Sequence, residues 1–311
     1  MVCNMSCTSL PERGCYMRYK VARIYKLAAI SPNLNKMITR IEFAEIDTEI
    51  KNAIQETLDD LKTNSPENYI LLLADGEYKK DYETLLPKLN PFVIDNRMDK
   101  IIDETRLNFL TNVLSTYYKF PSTQLSTDDN EFRIHLELMI YSHIWESKPF
   151  LKKLHRFAHI SNGEKYDWNV SVPDMGKHDF IRKDIRATFE KKSNPMAEII
   201  KKGFHTSLRN AFAHSDYSFD TMNDNRNIIL HNYGSESWEL KSITFDEWSK
   251  RFVYSALLSF HFLSLIHKAR IAVIDDFKTD IFIIDHPNSK GKINRQKIKY
   301  RLDANSFNFI Q

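Results

Sequence analysis

The chain has 311 residues, 42% apolar and 27% charged, the balance of a folded globular chain and not of a disordered one. Its 7 glycines and 10 prolines are too few for a Gly-rich phosphate loop or an all-β fold of tight turns, and neither GxGxxG nor GxxxxGK[ST] occurs. A net charge of +3, from 44 basic and 41 acidic residues, neither requires nor excludes a nucleic-acid partner, because a local patch decides that.

Cys3, Cys7 and Cys15 form no CxxC pair and have no histidine beside them, so free thiols are expected there, not zinc and not a disulfide framework. The first sixteen residues lack the apolar run of a signal peptide, and Met17 is a candidate start of the ordered chain. Ile46, Ile50, Ile54, Leu58 and Leu61 predict an amphipathic helix over 44–62. Tyr69 to Leu73, followed by Asp75-Gly76, reads as a short strand and a turn, and Pro87 and Pro91 then interrupt the chain. Leu107, Leu110, Leu114 and Tyr117 predict a helix over 103–119. Over 130–147, Ile134, Leu136, Leu138 and Ile140 alternate as in a strand, but the length and the Asp128-Asp129 start favour a helix. A polar loop from Ser161 to Gly176 precedes a helix over 177–192 with Ile181, Ile185 and Phe189 inward.

Asn194 can cap the next helix and Pro195 can open it, and Met196, Ile200, Phe204, Leu208, Ala211 and Phe212 then form one stripe. Asp216 to Asp224 reads as a break, Asn227 to Leu230 as a strand and Tyr233 to Ser237 as a turn. Thr244 and Glu247 predict a capping box for a long helix that is apolar through Phe245, Trp248, Phe252, Ala256, Phe260 and Leu263. Such a helix sits in the middle of a bundle. Its most apolar stretch, Phe252 to Ile266, falls short of the ~20 residues that span a bilayer, so a core helix of a cytoplasmic protein is expected. Alternation from Asp280 predicts a β-hairpin. The fold class is mainly α, with an N-terminal, mainly helical region over 1–98, a helical bundle over 99–275 and a C-terminal extension over 276–311.

The chemistry concentrates in Leu208-Arg-Asn-Ala-Phe-Ala-His-Ser-Asp-Tyr217. With 16 arginines and 11 histidines in the chain, about half of one Arg-x4-His pair is expected by chance, so that spacing alone decides nothing. Arg-Asn-x3-His in fact occurs twice, at 209–214 and at 226–231. Geometry separates the two. On a strand, as expected for 226–231, five residues span about 16 Å and an odd spacing sends Arg226 and His231 to opposite faces. On a helix five residues rise about 7.5 Å, and Asn210 and His214 share a face with Arg209 beside them. Arginine grips phosphate oxygens and histidine moves protons near neutral pH. No carboxylate cluster suggests Mg²⁺, and no metal or cofactor is expected. Metal-free cleavage of a phosphodiester needs an internal nucleophile, which RNA supplies in its 2′-OH. The expected reaction is 2′-OH attack to leave a 2′,3′-cyclic phosphate and a 5′-OH, with Arg209 neutralising charge and His214 as general acid or base.

The same ten residues resemble the signature of HEPN domains (higher eukaryotes and prokaryotes nucleotide-binding), an Arg, four to six residues, then His, often with a polar residue such as Asn after the Arg. Arg209, Asn210 and His214 match it. The resemblance implies an up-and-down helical bundle, a homodimer that brings two motifs together, and metal-independent ribonuclease activity on RNA. It also implies a toxin or anti-phage role with an antitoxin or regulatory protein as partner. In one toxin subgroup the antitoxin modifies a Tyr two residues after the His; here Tyr217 lies three residues after His214.

Around this core, His205 can extend the site or lie on exposed helix surface. Asp216 can orient His214 or only open the turn, and Tyr217 is a further candidate for substrate contact. Lys201 and Lys202, with Arg182, Lys183 and Arg186, can form an RNA-binding face or a solvated helix surface. His155 and His159 have helical zinc-ligand spacing but no evident third ligand. A catalytically inactive HEPN-type RNA-binding or interaction module is the alternative, since a fold does not fix a function.

Overall fold

The computed structural model describes residues 36–85, 89–120, 126–128, 131–222 and 226–310. The readings of Cys3, Cys7, Cys15, Met17, Pro87, Asp129 and Asp224 lie outside them. Residues 37–311 form one compact unit. The described residues of the segments drawn as 99–275 and 276–311, and those from 37 to 98, lie in that unit.

The protein is mainly α, about 60% helical. After β1 (Lys36–Thr39) come α1 (Arg40–Asn64), α2 (Pro66–Leu73), β2 (Glu77–Tyr78), α3 (Lys80–Leu85), β3 (Phe92–Val93) and α4 (Arg97–Tyr117). Next are β4 (Ser126–Asp128), α5 (Glu131–Glu146), α6 (Lys148–Ser161) and α7, which covers 177–190 with a π-helical centre at Phe180–Arg186. Then follow α8 (Met196–Gly203), α9 (Thr206–Ala213), β5 (Tyr217–Asp220), β6 (Asn227–Leu230), β7 (Ser242–Thr244) and α10 (Phe245–Phe277). Strands β8 (Ile281–Pro287), β9 (Ile293–Arg301) and β10 (Ser306–Phe309) close the chain.

Local signals account for many of these elements. Asn96 caps α4, accepting from the Met98 and Asp99 amides, and Asn194 accepts from the Met196 amide at 2.9 Å. Thr244 and Glu247 make the capping box of α10. That helix has 33 residues, long and apolar enough by length and composition to cross a membrane. Here it packs against α1, α4, α5 and α8, with Trp248, Phe252, Val253 and Ala256 fully buried. Glu137 of α5 sits in this core, 1% exposed, and accepts from the Tyr118 hydroxyl at 2.6 Å and the Trp248 indole at 3.0 Å beside Arg133. Burial pushes its carboxyl up.

Three expectations need correction. Tyr69 to Leu73 is not a strand but most of α2, with Pro66 in its first turn and all five residues buried. A run apolar on every side has no period to read. The stripe from Met196 to Phe212 is not one helix; it breaks between α8 and α9. Asp216 to Asp224 is not all break, for β5 pairs antiparallel with β6, Tyr217 opposite Leu230, and β6 pairs with β7. The C-terminal hairpin β8–β9 is present and gains β10 as a third strand.

One arginine, together with Lys100 and Glu67, ties that C-terminal sheet to the helices. Arg270 of α10 pairs with Asp95 at 2.8 Å and donates to the Leu73 carbonyl and to Asn305. Asp95 also accepts from the Phe307 amide at 2.6 Å. Both charges are nearly buried, and removing Arg270 leaves Asp95 with Lys100, at 3.7 Å, as its remaining cation. Arg270→Ala is expected to cost about 3–5 kcal/mol in urea unfolding. A loss below about 1 kcal/mol would mean that the ion pair does not hold the sheet.

Candidate functional site

The site begins where α8 ends. Gly203 lies against α10, and a Cβ built there would come 3.2 Å from the Ser255 hydroxyl and 3.5 Å from the Trp145 ring. The Trp145 indole donates to the Ser255 hydroxyl at 3.0 Å, and that hydroxyl donates to the Gly203 carbonyl at 3.1 Å. Phe204 and His205 then take extended backbone, and Arg251 of α10 donates to the Lys201 and Phe204 carbonyls left open at the end of α8. The His205 amide donates to the Tyr141 hydroxyl at 2.9 Å. Its imidazole Nδ1 accepts from the Ser207 amide at 3.2 Å and so caps α9.

Helix α9 buries Leu208, Ala211 and Phe212, the last edge-on to Tyr141 and Trp248. This places Arg209 and Asn210 on the outer face. The helix stops at Ser215, whose φ of 56° is left-handed; the Asp216 amide reaches the Ala211 carbonyl at 2.7 Å and the Ser215 amide the Phe212 carbonyl at 3.3 Å. His214 is the C-cap residue and is exposed.

Arg209 and Asn210 are joined, with guanidinium Nη1 donating to the amide oxygen at 2.9 Å. Arg209 Nη2 pairs with Glu146, the last residue of α5. The other oxygen of Glu146 accepts from Lys177, the first residue of α7, at 2.7 Å. Arg209 Nε is buried without a hydrogen-bond partner. One short helix thus presents a guanidinium, an amide and an imidazole, with the guanidinium already bound to a carboxylate.

His205, unlike the exposed His214, is half-buried. Burial, reinforced by the Arg251 and Arg182 charges, brings its pKa down to about 4. With Nδ1 occupied as an acceptor, the neutral ring carries its proton on Nε2. It can donate a hydrogen bond but does not titrate near neutrality.

The other candidates are placed less centrally. No hydrogen bond joins the Asp216 carboxylate to His214 among the described residues, and its backbone closes the α9 turn and bonds His231. The Tyr217 hydroxyl meets His135 Nδ1 at 2.9 Å, and its ring lies edge-on to Phe212. Lys202 pairs with Glu49 of α1 at 2.7 Å and lies over the Tyr254 ring, so its contacts lie away from Arg209. Lys201, Lys183 and Arg186 each pair with an acid on their own helix. The second Arg-Asn-x3-His run does bracket a strand, β6, and His231 Nε2 meets the Ser218 hydroxyl at 2.9 Å. His155 stacks on Phe180, while His159 uses one ring nitrogen on Glu164 and the other on the Asp184 carbonyl.

Glu146, Lys177, Tyr141 and Arg251 escaped the sequence reading. They come from three separate helices, α5, α7 and α10, and no spacing along the chain marks them.

The two most strongly depressed of four lowered histidines among the described residues, His205 and His155, predict an acid-sensitive fold. His205 and His155 both lie at about 4, against 6.5 when unfolded. Between those values the unfolded chain binds more protons, so stability rises with pH and falls as pH drops from 6.5 towards 4. Urea unfolding across this window is expected to show the decline, with a shallower slope in His205→Asn. Equal slopes in the two proteins would mean that His205 is not held neutral. Comparison with family models, with characterised proteins and with solved structures finds no match to this chain.

Proposed function

We propose that the chain is a metal-independent RNA endonuclease of HEPN type, an up-and-down helical bundle acting as a cytoplasmic homodimer. The observation that carries this reading is the trio on α9: Arg209 tied to Asn210, with His214 open to solvent one turn further on. Arg209 would bear on the non-bridging oxygens, held in place by Asn210. The ribose 2′-OH would attack phosphorus as the bond to the 5′-oxygen breaks, and His214 would accept the first proton or supply the second. The products would be a 2′,3′-cyclic phosphate and a 5′-OH.

The dimer finds support on α5. Phe132 and Met139 are 72% and 70% exposed, and Leu136 lies between them at helical spacing. Exposed apolar faces of this kind mark association sites. The same helix carries His135 and Glu146, which touch Tyr217 and Arg209, so a second copy on this face would stand beside the motif. A toxin or anti-phage role, with an antitoxin or regulatory partner, belongs to the same reading.

A second reading is a non-catalytic RNA-binding or interaction module. The Arg209–Glu146 pair favours it, because a neutralised guanidinium offers less to a phosphate.

Incubation with mixed RNA in EDTA decides between them. Wild type is expected to leave 2′,3′-cyclic ends and 5′-OH ends, and His214→Ala to slow cleavage by about 10²–10⁴-fold. Expression of the wild type but not of this variant would then slow bacterial growth. RNA bound but left intact would select the module, and RNA neither bound nor cut would remove both readings. Met139→Glu is expected to convert a dimer to monomers in sedimentation; a monomeric wild type would refute the dimer.

A further inference from the structure

Glu146 is placed as a substrate phosphate would be. Its two oxygens are divided between two cations, one on Arg209 Nη2 and the other 2.7 Å from Lys177 Nζ. Lys177 is unusually enclosed for a lysine, 8% exposed, with a second bond to the Asp174 carbonyl at 3.3 Å. Arg209 is also largely covered, its side chain 17% exposed, while Glu146 is the outermost of the three at 31%. The carboxylate thus lies over two partly buried cations that would otherwise repel each other. A phosphodiester offers the same features, two anionic oxygens able to take one cation each.

We propose that Arg209 and Lys177 together form a two-cation cradle for a phosphodiester, and that the Glu146 carboxylate occupies it until RNA takes its place. This rests on the ribonuclease reading and adds Lys177 as a substrate-binding residue. Glu146 holds the cations together in the free protein and lowers the affinity for RNA by competing for them. The arrangement also resolves why the guanidinium of the motif is already paired.

The test is binding of a 2′-O-methyl RNA oligonucleotide, which lacks the attacking hydroxyl, to the full chain in EDTA, read by fluorescence anisotropy. Glu146→Gln keeps the side-chain size and removes the charge, and it is expected to tighten binding about tenfold, the scale of one charge-assisted contact. Adding Lys177→Gln is expected to reverse that gain and to lower the logarithmic salt slope by about 0.7, one phosphate contact on a single strand. Weaker or unchanged RNA binding by a folded Glu146→Gln protein, with no phosphate effect, overturns the cradle and leaves Glu146 as a brace for Arg209. If that variant fails to fold, Glu146→Asp, one methylene short of both cations, is expected to move affinity in the same direction. Inorganic phosphate separates the cradle from the RNA reading. A phosphate-dependent rise in Tm in Glu146→Gln that Lys177→Gln abolishes, with no RNA bound, keeps the cradle and removes RNA as its ligand. Equal RNA binding by wild type and Glu146→Gln, with no phosphate effect, removes the cradle and leaves the RNA reading standing.

Discussion

The geometry of the candidate site depends on the close approach of Gly203 to α10. Any larger residue there would meet the Ser255 hydroxyl and the Trp145 ring. The indole, the hydroxyl and the Gly203 carbonyl form one hydrogen-bonded chain in a buried setting, where an unmet polar group is costly. This contact fixes where α8 stops. Phe204 and His205 are extended because the backbone must leave that contact and reach the Tyr141 hydroxyl. The axis of α9, and with it the direction of Arg209, Asn210 and His214, follows from those two residues.

Burial then divides the charged groups of the region. His205 and His214 sit at opposite ends of the same eight-residue helix. One is enclosed beside two arginines and held neutral; the other is exposed. The enclosed imidazole is therefore a fixed donor, while the exposed one stands open to solvent. The guanidinium of Arg209 is half-way between these extremes. It is covered enough to need a counter-ion, and Glu146 supplies one from the end of α5. Elsewhere the same logic serves the fold alone, as with Glu137 among Arg133, Tyr118 and Trp248, or Asp95 under Arg270.

The sequence by itself determined the mainly helical class, the caps at Asn194 and Thr244, the strand at Asn227 to Leu230, the C-terminal hairpin and the helical setting of Arg209 to Ala213, with His214 as the cap just past its end. Each of these rests on side-chain period or on a cap within a few residues, information carried by neighbours along the chain. The tertiary structure alone decided the break at Gly203, the helical state of Tyr69 to Leu73, the pairing of β5 with β6, the neutral state of His205 and the meeting of Arg209 with Glu146 and Lys177. These depend on what lies opposite a residue, not beside it. The period of a helix states which face is apolar; it carries no record of which distant carboxylate or indole that face will meet.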